Sequence, residues 1–183
     1  MTKVALLFAE GTEECEALNV VDILRRAGMD LSVISISGDK KVTGSHAITI
    51  IADEMIEEHD FSSDDLLVIP GGMPGTDYME KHPLVQQAIK DMNDAGKYVC
   101  AICAAPRILG HGGYLKGKKA SIYPGLEGEL TGAAVNFEEV NRDGNIITSR
   151  GLGTAIPFAL EIISALQGEP AAKRMAEKIV FRG

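Results

Sequence analysis

One cysteine lies where a protein chain can make a thiol reactive. Cys103 directly follows Tyr98–Ile102, an apolar run typical of a buried strand, and it precedes Ala104 and Ala105, which begin a predicted helix. A side chain at such a corner resembles a nucleophile elbow, in which a sharp and often strained turn lifts the reactive atom above the sheet edge. The free N–H groups and positive dipole end of the helix favour a thiolate. Cys103 is therefore the candidate nucleophile.

Two alternatives for Cys103 remain open from position alone. It could be a small buried hydrophobic residue, as free cysteines often are. It could also form a CxxC pair with Cys100, but an offset of three residues on a strand places the side chains on opposite faces, with Cα atoms about 10 Å apart. A disulfide requires less than about 7 Å, and no second cysteine pair completes a zinc site. We expect Cys100 to lie in the core and no metal to be bound.

The elements that must position Cys103 alternate between strands and helices. Strands are predicted over Lys3–Phe8, Leu31–Ile36, Leu66–Ile69, Tyr98–Ile102, Ser121–Tyr123, Val135–Asn136 and Ile146–Thr148, with a hairpin of Val42–Thr43 and Ile48–Ile51. Helices are predicted over Glu13–Ala27, from Pro83 to about Ala95, from about Ala105, over Thr154–Leu166 and over Pro170–Ile179. This alternation predicts an α/β fold, a mostly parallel, flavodoxin-like sheet sandwiched by helices on both faces.

Glycines gather where the predicted strands end, and they indicate the working edge of the sheet. They are Gly11, Gly71, Gly72, Gly125, Gly151 and Gly153. Ligands of open parallel sheets bind outside the carboxyl ends of the strands. The sequence contains no repeat or linker, so we expect residues 1–183 to form a single domain.

The bulk composition excludes several classes of function. Lys and Arg total 18 against 26 Asp and Glu, and this net charge of −8 argues against electrostatic binding of nucleic acid. The most apolar stretch, from Gly151 to Leu166, is interrupted by Glu161 and Pro157 and is shorter than the roughly 20 residues that span a bilayer. The N-terminus does not read as a signal peptide, and three cysteines without secretory context favour free thiols in a reducing cytoplasm.

Four short motifs, taken in order, carry a family resemblance over essentially the whole chain. They are Glu13-Glu14-Cys15-Glu16, Pro70-Gly71-Gly72, Ala101-Ile102-Cys103-Ala104-Ala105-Pro106 and Thr148-Ser149-Arg150-Gly151-Leu152-Gly153-Thr154. Together they resemble the ThiJ/PfpI superfamily, of the class I glutamine amidotransferase-like fold. The branch they resemble most includes the human parkinsonism-associated deglycase (DJ-one) and bacterial YajL-type proteins.

The resemblance implies a set of functional residues. It implies that Cys103 is the reactive cysteine, that Glu16 is its carboxyl partner, and that the N–H groups of Gly72 and Ala104 form an oxyanion-type pocket. It further implies a polar cluster near the interface of a homodimer, matched here by Asp22, Arg25, Arg26 and His46. On its own, Glu16 could equally be a solvated carboxylate favoured by the helix dipole.

Two departures from the family pattern concern histidine. Protease-like members have a histidine directly after the cysteine, where this chain has Ala104, and others supply one from a later strand, where this chain has Tyr123. The sequence therefore shows no Cys–His dyad of the kind a cysteine protease uses. We expect His59, His82 and His111 to be ordinary surface residues, and Cys15 to face an interface or the core.

The resemblance implies detoxification of reactive carbonyls without a cofactor. In that hypothesis Cys103 attacks a small aldehyde such as methylglyoxal, as in glyoxalases and protein deglycases, and Glu16 transfers protons. We expect a thiolate beside a neutral Glu16 near neutral pH, since a protonated carboxyl can donate a hydrogen bond to the sulfur. The alternative is a redox sensor or chaperone-like stress protein whose Cys103 is oxidised to sulfinate without turnover.

Overall fold

A seven-stranded sheet forms the centre of the computed structural model, which describes residues 1–182. The chain's strands are β1 (Lys3–Phe8), β2 (Asp30–Ser35), β3 (Lys41–Thr43), β4 (Thr49–Ile51), β5 (Glu54–Met55), β6 (Leu66–Ile69), β7 (Tyr98–Ile102), β8 (Lys119–Ala120), β9 (Ala134–Val135), β10 (Val140–Asp143) and β11 (Ile146–Ser149). The central sheet has the order β10-β11-β7-β6-β1-β2-β5. Only β10 runs antiparallel to its neighbour, and β3 pairs with β4 as a hairpin. The predicted α/β fold is confirmed.

Six helices cover the sheet. They are α1 (Glu14–Arg26), α2 (Gly75–Lys81), α3 (Pro83–Asp94), α4 (Pro106–His111), α5 (Ala155–Gln167) and α6 (Glu169–Lys178). The start of α1 is fixed by Glu13, whose carboxylate accepts the N–H of Glu16 at 2.6 Å. Gly28, at φ 77°, takes the left-handed conformation just past its end. No helix in residues 1–182 combines the length and apolarity needed to cross a bilayer.

Alternation along the strands divides the core between the two faces of the sheet. On β1, Leu6 and Phe8 pack with α1 and α5, whereas Ala5 and Leu7 pack on the opposite face with α3 and α4. Both cores are mostly aliphatic, and the central strands are buried on both sides, which explains their uninterrupted apolar runs. The carboxyl ends of β1, β6, β7 and β11 consequently meet at one edge, where the site lies.

Sequence periodicity located the central strands better than the outer elements. Strands β1, β6 and β7 have the predicted bounds, but Ser121–Tyr123 is not a strand. Strand β8 ends at Ala120, because the next backbone N–H groups do not continue its pairing with β9. The N–H of Ser121 donates to the Thr148 hydroxyl (3.1 Å), and the N–H of Tyr123 donates to the Cys103 carbonyl (2.9 Å). Elements α2, β5 and β10 were not predicted, since their residues are largely polar and lack a continuous apolar period.

Candidate active site

Cys103 lies at a strained corner between β7 and α4. Its φ of 64° is in the left-handed region, which non-glycine residues rarely adopt and which typically costs about 1–3 kcal/mol. Both of its backbone groups are bonded: its N–H donates to the Ser149 carbonyl at 3.1 Å, and its carbonyl accepts the N–H of Tyr123 at 2.9 Å. These bonds fix the corner. The Cys103 side chain therefore does not follow the alternating directions of the β7 side chains and points towards the sheet edge.

Glu16 reaches this corner from the first turn of α1. The residue is 1% exposed, and its Oε2 accepts the N–H of Gly71 at 3.0 Å. Its carboxyl group also interacts with the Cys103 thiol and the N–H of Leu152, and both interactions lower its pKa. Glu16 and Cys103 both lie directly over Gly71, where a β-carbon would come within 2.7 Å of Oε2 and 3.0 Å of Sγ. Glycine at position 71 therefore permits the two groups to meet.

Burial dominates the protonation of Glu16. It raises the pKa of the carboxyl from 4.5 to about 7, and the negative charge of Glu13 adds to this rise. Hydrogen bonds from Cys103, Gly71 and Leu152 act in the opposite direction and do not offset it. Glu16 therefore changes charge near neutral pH, which agrees with the expected neutral carboxyl on the acid side of that pH.

The thiolate half of the expectation is corrected. Burial raises the pKa of the Cys103 thiol to about 12, with further increases from the charge and hydrogen bond of Glu16. Interactions with the backbone N–H groups of Ala104 and Gly72 lower the thiol pKa, but by less than burial raises it. The helix start, on which the expected thiolate depended, contributes less than the desolvation. These shifts favour a neutral thiol, with Glu16 as the first of the pair to lose its proton.

An open cavity of about 460 Å³ gives access to the thiol. Its lining is formed by Glu13, Ser45, His46, Gly72, Met73, Cys103, Ala104, Tyr123, Pro124, Gly125 and Leu126. The only other ionisable side chains in this lining are Glu13, His46 and Tyr123. A second cavity of about 530 Å³, between Phe61 and α3, contains neither Cys103 nor Glu16. The cavity over Cys103 is thus the one that can bring a ligand to the thiol.

The expected polar cluster of Asp22, Arg25, Arg26 and His46 does not form within one chain. Arg26 pairs with Asp22 at 2.7 Å, and Arg25 pairs with Asp53 at 2.7 Å, both in exposed positions near the end of α1. His46 instead lies beside the start of α1, at the opposite end of a helix about 20 Å long. Within one chain α1 separates His46 from the other three residues, and the place of this cluster at a dimer interface stays a prediction.

His46 contacts the carboxylates at the start of α1. Its Nδ1 lies 3.2 Å from Oε2 of Glu14 and 3.7 Å from Oε1 of Glu13. Glu13, Glu14 and His46 each offer one ligand atom, and these three atoms lie within 4.8 Å of one another. Among residues 1–182 this is the arrangement that could hold a metal ion. Glu14 already accepts the N–H groups of His46 (2.7 Å) and Ile48 (3.2 Å), so its carboxylate is occupied by the hairpin.

The remaining sequence-predicted positions divide between confirmed and corrected. Tyr123 lines the cavity, and Cys15 is exposed, which removes the core as its place. His59 is not an ordinary surface residue, because its ring is 8% exposed and lies between Glu54 (2.9 Å) and Asp64 (2.7 Å). His111 is half-exposed and bonds to two carboxylates. Neither histidine contacts the cavity over Cys103.

Curated relatives resemble the chain along nearly its whole length. The protein dj-1beta of Drosophila melanogaster is 35% identical over 98% of this chain and 98% of its own. Protein DJ-1 homolog B of Arabidopsis thaliana is also 35% identical, but the chain spans only 42% of that longer protein. A Pyrococcus abyssi protein named a deglycase is 31% identical over 90% of this chain and 99% of its own.

Solved structures and a family profile give the same result. Toxoplasma gondii DJ-1 in its oxidised form superposes with a TM-score of 0.96 at 32% identity, covering all of both chains. A DJ-1 superfamily protein of Salmonella typhimurium superposes at 0.95 with 33% identity, again over both full chains. The profile of the DJ-1/PfpI family matches residues 2–165. The chain that carries this buried Glu16 and strained Cys103 belongs to the DJ-1/PfpI family.

Proposed function

We propose that the chain is a cysteine-dependent enzyme that detoxifies reactive carbonyls, acting without a cofactor as a glyoxalase or protein deglycase on methylglyoxal or its adducts. One observation carries the proposal: a thiol that lines an open cavity lies beside a buried carboxyl group of pKa about 7. A base with a pKa near the working pH is suited to repeated proton transfer.

The first step uses only groups that touch the sulfur. The ionised Glu16 takes the thiol proton as Sγ of Cys103 bonds to the aldehyde carbon, and the electron pair of the C=O bond moves to oxygen. We assign stabilisation of the resulting oxyanion to the N–H groups of Gly72 and Ala104, whose interaction with the sulfur lowers the thiol pKa. Proton transfer to this oxygen from Glu16 gives a hemithioacetal and restores the carboxylate.

The cavity suits a small carbonyl or one carried on a protein side chain. It is open and its walls are largely apolar, with Met73, Tyr123 and Leu126 among them. The deglycase name of the Pyrococcus abyssi relative supports this substrate class. A protease would need a histidine to activate the thiol, and Ala104 occupies the position directly after Cys103.

The test is lactate formation from methylglyoxal, followed over many turnovers. We expect turnover by the native chain and its loss in Cys103→Ser and Glu16→Gln. Cys15→Ser is the matched control, because Cys15 is exposed and does not line the cavity. Stoichiometric aldehyde loss without lactate, or equal loss of activity in the Cys15 variant, would contradict the proposal.

A redox sensor is the second candidate. Cys103 is partly exposed at the cavity floor, and a protonated Glu16 can donate to an oxygen of a sulfinate. The oxidised Toxoplasma gondii relative lends this reading support. Peroxide treatment followed by mass spectrometry separates the two functions: clean conversion of Cys103 to sulfinate, in a chain without multiple turnovers, favours the sensor.

We further propose that the protein is a cytoplasmic homodimer without nucleic-acid or membrane partners. The acidic net charge of −8 supports the absence of nucleic acid. Light scattering coupled to size exclusion measures the oligomeric state directly. We expect twice the chain mass of 19.5 kDa, and a species of one chain mass would reject the dimer.

A further inference from the structure

His46 lies at the tip of the β3–β4 hairpin and lines the same cavity as Cys103. Its Nδ1 faces Oε2 of Glu14 at 3.2 Å and the hydroxyl of Ser45 at 3.0 Å. Its Nε2 has no hydrogen-bond partner within residues 1–182, and the side chain is 70% exposed. One ring nitrogen is thus held by protein, while the other is available to a ligand.

Glu14 is a fixed acceptor for the His46 ring. Its side chain is 1% exposed, and its Oε1 accepts the N–H groups of His46 and Ile48. Burial raises the pKa of Glu14, but the hydrogen bonds it accepts outweigh burial and lower the pKa below its ordinary value, so Glu14 is ionised. An ionised acceptor on Nδ1 keeps the proton there in the neutral ring and leaves the lone pair on Nε2.

The other histidines lack this combination. His59 and His111 each bond to carboxylates through both ring nitrogens, so neither nitrogen is free for a ligand. His82 has a buried Nδ1 and lines a different cavity. A carboxylate that orients one nitrogen of a ring while the other faces a nucleophile's cavity is the arrangement of a general acid–base residue.

We infer that His46 is a second catalytic residue, which exchanges protons with the substrate's oxygens while Glu16 exchanges them with its carbons. This inference rests on the proposed function. In the hemithioacetal of an α-oxoaldehyde, Glu16 removes the C1 proton and the protonated His46 donates from Nε2 to the C2 oxygen, which forms an enediol. Glu16 then returns its proton to C2, and His46 takes the proton of the C1 hydroxyl as the thioester carbonyl forms.

These steps balance without an oxidant or a reductant. One proton moves from C1 to C2, the C2 carbonyl becomes a hydroxyl, and the C1 hydroxyl becomes the thioester carbonyl. Water then cleaves the thioester, so that the aldehyde plus one water gives the hydroxy acid and the free thiol. His46 and Glu16 both finish in the protonation states in which they began.

The experiment compares kcat and KM for methylglyoxal, across pH, in the native chain, His46→Gln and His46→Ala. We expect kcat to fall on the order of 100-fold in both variants, with a changed pH profile of kcat. The carboxylates that face His46, Glu13 and Glu14 of α1, remain in these variants, so a changed profile is due to loss of the ring. Added imidazole should restore part of the rate of His46→Ala.

Two controls separate a catalytic role from a structural one. Alkylation of Cys103 by iodoacetamide, in a Cys15→Ser background, should proceed at the native rate in both His46 variants. His111→Gln should keep the native kcat, since His111 is outside the cavity. A His46→Gln variant with native kcat, measured where Cys103→Ser is inactive, would overturn this inference alone. Absence of Cys103-dependent turnover in the native chain would overturn the proposed function together with it.

Discussion

Replacement of Gly71 by alanine tests whether contact between Cys103 and Glu16 is required. Gly71 does not have a positive φ, so alanine fits its backbone, and any effect comes from the added β-carbon. That carbon would lie 2.4 Å from Cβ of Cys103, 2.7 Å from Oε2 of Glu16 and 3.0 Å from Sγ of Cys103. Ordinary contact begins near 3.4 Å, so Cβ of Cys103 must retreat by about 1.0 Å, the carboxyl group by about 0.7 Å and the sulfur by about 0.4 Å.

These displacements are large enough to abolish proton transfer between the two groups. Misplacement of a reacting group by about 1 Å costs on the order of 100-fold in rate, and overpacking costs about 1–3 kcal/mol of stability. We therefore expect Gly71→Ala to lower kcat for methylglyoxal by roughly 100-fold while the protein stays folded, as checked by circular dichroism and thermal unfolding.

Gly153→Ala is the control for this substitution. Gly153 is near the site in sequence, has no positive φ and has open space where its β-carbon would be. We expect native activity and stability from it. A Gly71→Ala chain with native kcat and a native pH profile of Cys103 alkylation would refute the argument that the pair must touch.

Three further predictions concern protonation and stability. Burial raises the pKa of Glu16 from 4.5 to about 7, so between these pH values the native state retains a proton that the unfolded state releases. The free energy of unfolding should therefore fall by about 3 kcal/mol as pH rises from 4.5 to about 7. Glu16→Gln should flatten this pH dependence, as measured by denaturant titrations at several pH values. The negative charge of Glu16 contributes to the raised pKa of Cys103, so Glu16→Gln in a Cys15→Ser background should shift the pH profile of Cys103 alkylation to lower pH. An unchanged profile would show that the Glu16 charge does not affect the pKa of the thiol. His59→Ala should cost about 1–3 kcal/mol by leaving a buried carboxylate unpaired, whereas His111→Ala, between more exposed partners, should cost less in the same unfolding assay.

The central strands could be predicted because their environment is uniform. Strands β6 and β7 are buried along their length on both faces, so apolar residues run continuously and end at a glycine or at Cys103. Strand β10 is an antiparallel edge strand with the sequence Val-Asn-Arg-Asp, and its place in the sheet depends on pairing with β11. Such pairing is tertiary information that a polar segment does not carry.

Parts of the site depend on tertiary contacts that the sequence pattern does not show. The strand–helix corner indicated Cys103, but the desolvation that keeps it a thiol depends on how Glu16 and the neighbouring loops cover it. Likewise, His46 sits among small and polar residues in the sequence, and only the return of the hairpin to the start of α1 brings its ring to the cavity. The burial of His59 between two carboxylates has the same origin.

The segment Glu13-Glu14-Cys15-Glu16 shows how one residue type acquires three roles within a single helical turn. Glu13 caps α1 by accepting the N–H of Glu16, and Glu14 is held ionised by the N–H groups of the hairpin. Both carboxyl groups have almost no exposed surface, but Glu16 lies deeper in the protein and its hydrogen bonds do not offset its desolvation, so its pKa rises where that of Glu14 falls. The balance between desolvation and N–H donors, rather than the type of residue, therefore decides which carboxyl can carry a proton to Cys103.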